Sequence, residues 1–140
     1  MIDLIPSVSG LVGVIIGGLI SYTAQKKHQQ NMEKRKDRRE KHIAYNQFLL
    51  LDGIRSPVFY NQHNNLYEDF EWSIYSEGSR KILYENLHLF DKEIAESVLQ
   101  IDTLNESSEV MGVEPEDVVE LCNRYIKIRK AIQEDYQRDI

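Results

Sequence analysis

The hydrophobic pattern changes twice along the 140 residues, and each change predicts a different kind of helix. Residues 4–24 carry no charged side chain and are rich in Leu, Ile, Val and Gly. As a helix rising ~1.5 Å per residue, that run covers about 31 Å, close to the ~30 Å hydrocarbon depth of a bilayer. A strand of that length is excluded, and a helix apolar all round finds too little chain here to wrap it. A cleaved signal peptide would place its positive charge before the apolar run. Here Asp3 precedes it, and Lys26 and Lys27 follow. The pattern predicts a transmembrane anchor over 1–25, with Pro6 in its first turn, where a missing N–H costs little.

The next segment, 26–42, has Met32 as its only strongly apolar residue before Ile43. Good helix formers and opposite charges near i,i+4 spacing predict a solvated basic stalk that continues the first helix. From Ile43 the pattern turns amphipathic. Ile43, Gln47, Leu50, Leu51 and Ile54 share a face with Phe48 nearby, and Pro57 predicts the stop. Asn64 and Asn65 can cap a short helix to Tyr75, although Phe70, Trp72 and Ile74 also alternate as a strand would. After "SEGS" at 76–79, a long helix is expected from Arg80 to about Leu104, with Leu83, Leu87, Phe90, Ile94, Val98 and Ile101 on one side. Pro115 with Glu116 and Asp117 opens a last helix, whose stripe is Val118, Leu121, Tyr125, Ile128 and Ile132. The fold class predicted is all-α: a transmembrane helix running into a basic stalk, then a small antiparallel bundle over 43–140.

Charge sharpens this picture. Residues 1–25 hold one charge; 26–41 hold eight basic against three acidic residues, a net of +5; 42–140 hold nine basic against nineteen acidic, a net of −10. Because basic flanks stay on the cytoplasmic side, the amino terminus is expected outside and the carboxyl-terminal body inside, at an inner membrane. Lys26 and Lys27 lie near enough to the headgroups to gain roughly 1 kcal/mol each from anionic lipid. The acidic body argues against nucleic acid, whose binding begins with phosphate neutralisation. Cys122 is the only cysteine, so no intrachain disulfide exists, and it reads as a buried thiol.

Within the anchor, Ser9, Gly13, Gly17 and Ser21 recur every four residues, and Gly10 and Gly18 widen the ridge. Small residues at this spacing let another helix approach closely in lipid, where no hydrophobic drive operates between helices. The expectation is self-association through this face. Elsewhere the sequence offers no catalytic constellation: no phosphate-binding loop, dinucleotide-binding glycines, zinc-ligand pair or nucleophile elbow, and no cofactor motif. His28, His42, His63 and His88 are too far apart to begin a metal site on one helix. Eight of the aromatics fall between Phe59 and Phe90, a density that suits a core, a contact surface or a small-molecule pocket.

The order of "LVGVIIGGLISY", a Lys/Arg-rich stalk, an amphipathic helix pair and the ending "YIKIRKAIQEDYQRDI" resembles a diffuse group of small bacterial and phage-associated single-pass, membrane-anchored helical proteins. The resemblance implies a bacterial inner membrane and assigns no active-site residue. The function expected is a non-enzymatic interaction or scaffold protein, clustering through its span and presenting the acidic body to a cytoplasmic partner. Two alternatives fit the same layout: an oligomeric membrane-perturbing effector with Ser9, Ser21 and Thr23 toward a lumen, and an accessory subunit of a larger membrane complex.

Overall fold

In the computed structural model the backbone is described for residues 4–139, and side chains for 9–139 except residue 68. The readings placed on Met1 to Asp3 and on the side chains of 4–8, Pro6 among them, lie outside the described residues. The chain is mostly helical. It divides into two units, residues 1–38 and 39–140.

The first unit is the amino-terminal part of one helix, α1, which runs Leu4–Ile54. Among the described residues no helix is long and apolar enough to cross a membrane.

In the second unit α1 is followed by strands β1 (Val58–Asn61) and β2 (Leu66–Phe70), then α2 (Trp72–Glu77), α3 (Ser79–Glu85), a 3-10 turn at Leu87–Leu89, α4 (Lys92–Met111) and α5 (Pro115–Arg138). The last part of α1 runs antiparallel to α5: Lys41 meets Asp135 at 2.7 Å while Asp52 meets Tyr125 at 2.7 Å. Helices α4 and α5 form a second antiparallel pair, with Glu93 near the start of one against Lys127 midway along the other at 3.2 Å.

The core is aromatic at its centre. Phe48, Phe70, Tyr75 and Tyr125 are buried, with ring centroids 5.6–6.1 Å apart in tilted and edge-on pairs, the geometry that ring quadrupoles favour. Of the aromatics between Phe59 and Phe90, Phe70, Tyr75 and Phe90 are buried, and Tyr67, Trp72 and Tyr84 pack partly against them. Phe59 and Tyr60 stay exposed. The density is therefore core for the most part.

Four local features differ from the sequence expectation. The segment expected as a short capped helix to Tyr75 is split: up to Phe70 it belongs to a β-hairpin with a bulge at Phe59/Tyr60, and only Trp72–Tyr75 is helical, as the start of α2. Its asparagines make the turn instead of a cap. Asn61 Oδ1 accepts from His63 N at 2.9 Å, Asn64 Oδ1 accepts from Leu66 N at 3.2 Å, and Asn65 takes the left-handed φ of 55°, which asparagine tolerates. The long helix expected from Arg80 is broken at 86–91, where Asn86 Nδ2 donates to Ile82 O at 2.9 Å and Phe90 is extended. Of the expected apolar stripe, Leu83, Phe90, Ile94, Val98 and Ile101 are buried and Leu87 is partly buried against them. Helix α4 also runs further than expected, to Met111, and stops at Gly112, whose φ of +87° suits glycine.

The fourth difference concerns α1. Its buried face is Ala44, Tyr45 and Phe48, while Ile43, Leu50 and Ile54, expected to face the core, point to solvent. The last helix begins as expected: Pro115 sits in the first turn, and Asp117 Oδ2 accepts from Glu114 N at 3.2 Å.

Candidate functional site

Every small residue of the proposed ridge lies on α1 and is exposed: Ser9, Gly10, Gly13, Gly17, Gly18 and Ser21. A Cβ added at Gly10, Gly13, Gly17 or Gly18 would meet nothing within 4 Å. Nor are the large side chains between them covered. Leu11, Val14, Leu19 and Ile20 each expose 60% or more of their surface. Thr23 Oγ1 donates back to the carbonyls of Leu19 at 3.1 Å and Ile20 at 2.9 Å, so its hydroxyl is engaged by its own helix. Lys26 and Lys27 follow on the same helix, both exposed.

The second unit carries three polar clusters that the sequence did not foretell. At one end, Asp135 on α5 accepts from Tyr45 Oη at 2.6 Å and pairs with Lys41 Nζ at 2.7 Å; Arg138 adds a contact at 3.4 Å. Lys41 also reaches Asp91 at 3.4 Å, and His42 Nε2 contacts Asp139 at 3.0 Å. Burial pushes the Asp135 carboxyl upward, but the hydrogen bonds from Lys41 and Tyr45 and the charges of Lys41 and Arg138 outweigh it, leaving the group below its ordinary value. Burial likewise pulls the Lys41 ammonium down, and Asp135 with Asp91 more than restores it, so its pKa is raised. Tyr45 is driven well above the usual phenol range by burial and then by Asp135.

In the middle, Tyr125 Oη donates to Asp52 at 2.7 Å and lies 3.2 Å from Ser79 Oγ, and Arg129 approaches Asp52 at 3.5 Å. On the far side, Arg80 holds Asp102 through two hydrogen bonds of 2.8 and 3.1 Å, with Tyr84 Oη donating to the same carboxylate. The Tyr84 phenol is pushed up to about 12 by burial and by that bond. In all three clusters a carboxylate is satisfied by a phenol and a cation of its own chain, with each phenol held protonated at neutral pH. They lock helices together.

Two adjoining clefts of about 400 and 310 Å³ run along α5, sharing Tyr67, Ile126 and Lys130. Their remaining described lining mixes Glu93, Glu134, Lys127 and Arg129 with small polar and apolar side chains, and includes no histidine or cysteine. Among the described residues no three of His, Cys, Asp or Glu converge on a point where a metal ion could be held. Cys122 is buried, its thiol donating to Asp69 O at 3.5 Å, and burial followed by the Asp69 charge pushes it up to about 11. No family model, curated protein or solved structure matches this chain.

Proposed function

We propose that the chain is a membrane-anchored, non-enzymatic interaction protein. It self-associates through the small-residue face of α1 and presents its acidic helical body to a cytoplasmic protein partner. The observation that carries this reading is the uncovered apolar surface of α1 from Leu11 to Ile20, followed at once by a segment of net +5. Lipid covers such a surface without a protein partner for every side chain, and the following lysines suit the inner headgroup layer.

The part of the uncharged run whose side chains are described, residues 9–24, rises about 24 Å as a helix, short of the ~30 Å hydrocarbon core. By sequence, residues 4–8 add five uncharged positions and bring the run to about 31 Å. Lys26 and Lys27 then fix the orientation, with the body on the cytoplasmic face.

The test uses the full chain in bacterial membranes. It is expected to resist alkaline extraction and to lose its body to protease added to inside-out vesicles. Recovery in the soluble fraction would refute the anchor. Gly13→Leu with Gly17→Leu is expected to cut self-association in a membrane reporter at least tenfold. A Cβ at either position meets no neighbour within 4 Å. Undiminished association in that variant would exclude the ridge.

A further inference from the structure

Within the folded body, α1 is apolar on two sides. Ala44, Tyr45 and Phe48 face inward and are fully buried. Ile43, Leu50 and Ile54, spaced seven and four apart, form a second stripe that is 47, 65 and 74% exposed. At the end of that stripe lies a groove of about 190 Å³ whose lining includes Leu51, Ile54, Ile74 and Gly78 together with Arg55 and Glu77. Neither Arg55 nor Glu77 makes an ion pair among the described residues.

We infer that this stripe and groove dock the same face of a second copy of the chain, a step that rests on the shared anchorage proposed above. A twofold contact needs one surface to carry both a projection and the recess that receives it. Ile54 projects beside the recess, so a twofold axis running alongside α1 seats the Ile54 of each copy in the groove of the other. The same operation brings Arg55 of one copy opposite Glu77 of the other, and its mate opposite in turn. Charge selects this face over the rest of the body. Residues 42–140 carry a net −10, so two bodies repel across most of their surfaces. Here a cation and a carboxylate, each without an ion pair among the described residues, line one groove, the arrangement that self-pairing requires. The stripe belongs to the helix that carries the anchor, and anchored copies share one orientation in the membrane.

The test is oxidative crosslinking of full-length Ile54→Cys in native membranes with copper phenanthroline. Cys122, buried and with a raised thiol pKa, gives a silent background. The expected result is a disulfide-linked homodimer of twice the chain mass, forming at least tenfold faster than from Gln100→Cys, an exposed control on α4. Arg55→Glu and Glu77→Arg, each added to Ile54→Cys, are expected to slow crosslinking severalfold, and the two together to restore it. The interface is overturned if Ile54→Cys crosslinks no faster than the control, or if the paired reversal is as slow as either single one, while the chain stays in the membrane fraction with its Trp72 signal unchanged. Crosslinking that persists in a chain recovered from the soluble fraction would uphold the interface and overturn the anchor, so the two failures are separable.

Discussion

Replacing Asp135 with Asn removes one charge from the junction between α1 and α5 and changes almost no volume. In the native protein Asp135 is mostly buried, ion-paired to the equally buried Lys41 at 2.7 Å and hydrogen-bonded by Tyr45 at 2.6 Å. An exposed pair contributes about 0–1 kcal/mol, and breaking a fully buried one costs about 3–5 kcal/mol. The junction falls between these limits, and Asn keeps an oxygen to accept from Tyr45. Lys41 retains only Asp91, at 3.4 Å. The expected cost is about 2 kcal/mol at pH 7, or roughly 10 °C in the midpoint of a body of this size. Trp72, the only tryptophan, packs 5.3 Å from the buried Tyr75, so its fluorescence reports unfolding of the body and not of the first part of α1.

The pH dependence separates charge from shape. Because the folded Asp135 pKa is depressed, its stabilisation is full above the unfolded value near ~3.9 and is lost as pH falls through the folded value. Lys41 has a raised folded pKa, so its share is full below ~10.4 and fades as pH rises through that folded value. The gap between native protein and variant should therefore be widest across neutral pH and close at both extremes. A gap below about 0.5 kcal/mol at pH 7, within the range of surface pairs, would refute the reasoning, as would one that stays constant down to pH 2.

Further outcomes follow from single side chains. Tyr75 Oη is buried without a hydrogen-bond partner among the described residues, and an unpaired buried hydroxyl costs about 1–3 kcal/mol; Tyr75→Phe should leave the urea midpoint unchanged or raise it, and a marked fall would reveal a partner. Cys122 should react with a maleimide at pH 7.5 at least a hundredfold more slowly in the folded chain than in denaturant, since burial both hides the thiol and raises its pKa to about 11; equal rates would place it at the surface. Ile128 is fully buried on α5, and Ile128→Ala should cost about 3 kcal/mol by urea unfolding, in the range for emptying a core site; a loss near zero would put that face of α5 outside the core.

The sequence alone determined the helical character of the chain, the Pro115 start of α5, the buried stripes of α4 and α5, and the boundary between an uncharged run and a basic segment. Each of these is written locally, in spacing, capping residues or charge, and needs no knowledge of neighbours. Tertiary structure decided what local pattern leaves ambiguous. Asn64 and Asn65 suit a cap and a turn equally well, and pairing Val58 with Phe70 selects the turn. Leu83, Leu87, Phe90 and Ile94 keep helical spacing through a break, because residues on either side bury against the same core. The partners of Asp135, Asp52 and Asp102 come from helices distant in sequence, so no spacing rule reveals them. Most consequential is α1, where two apolar stripes lie on one helix and only one can face α5. Packing chose Ala44, Tyr45 and Phe48, because the Tyr45 phenol reaches Asp135 from that side, and it left Ile43, Leu50 and Ile54 outside.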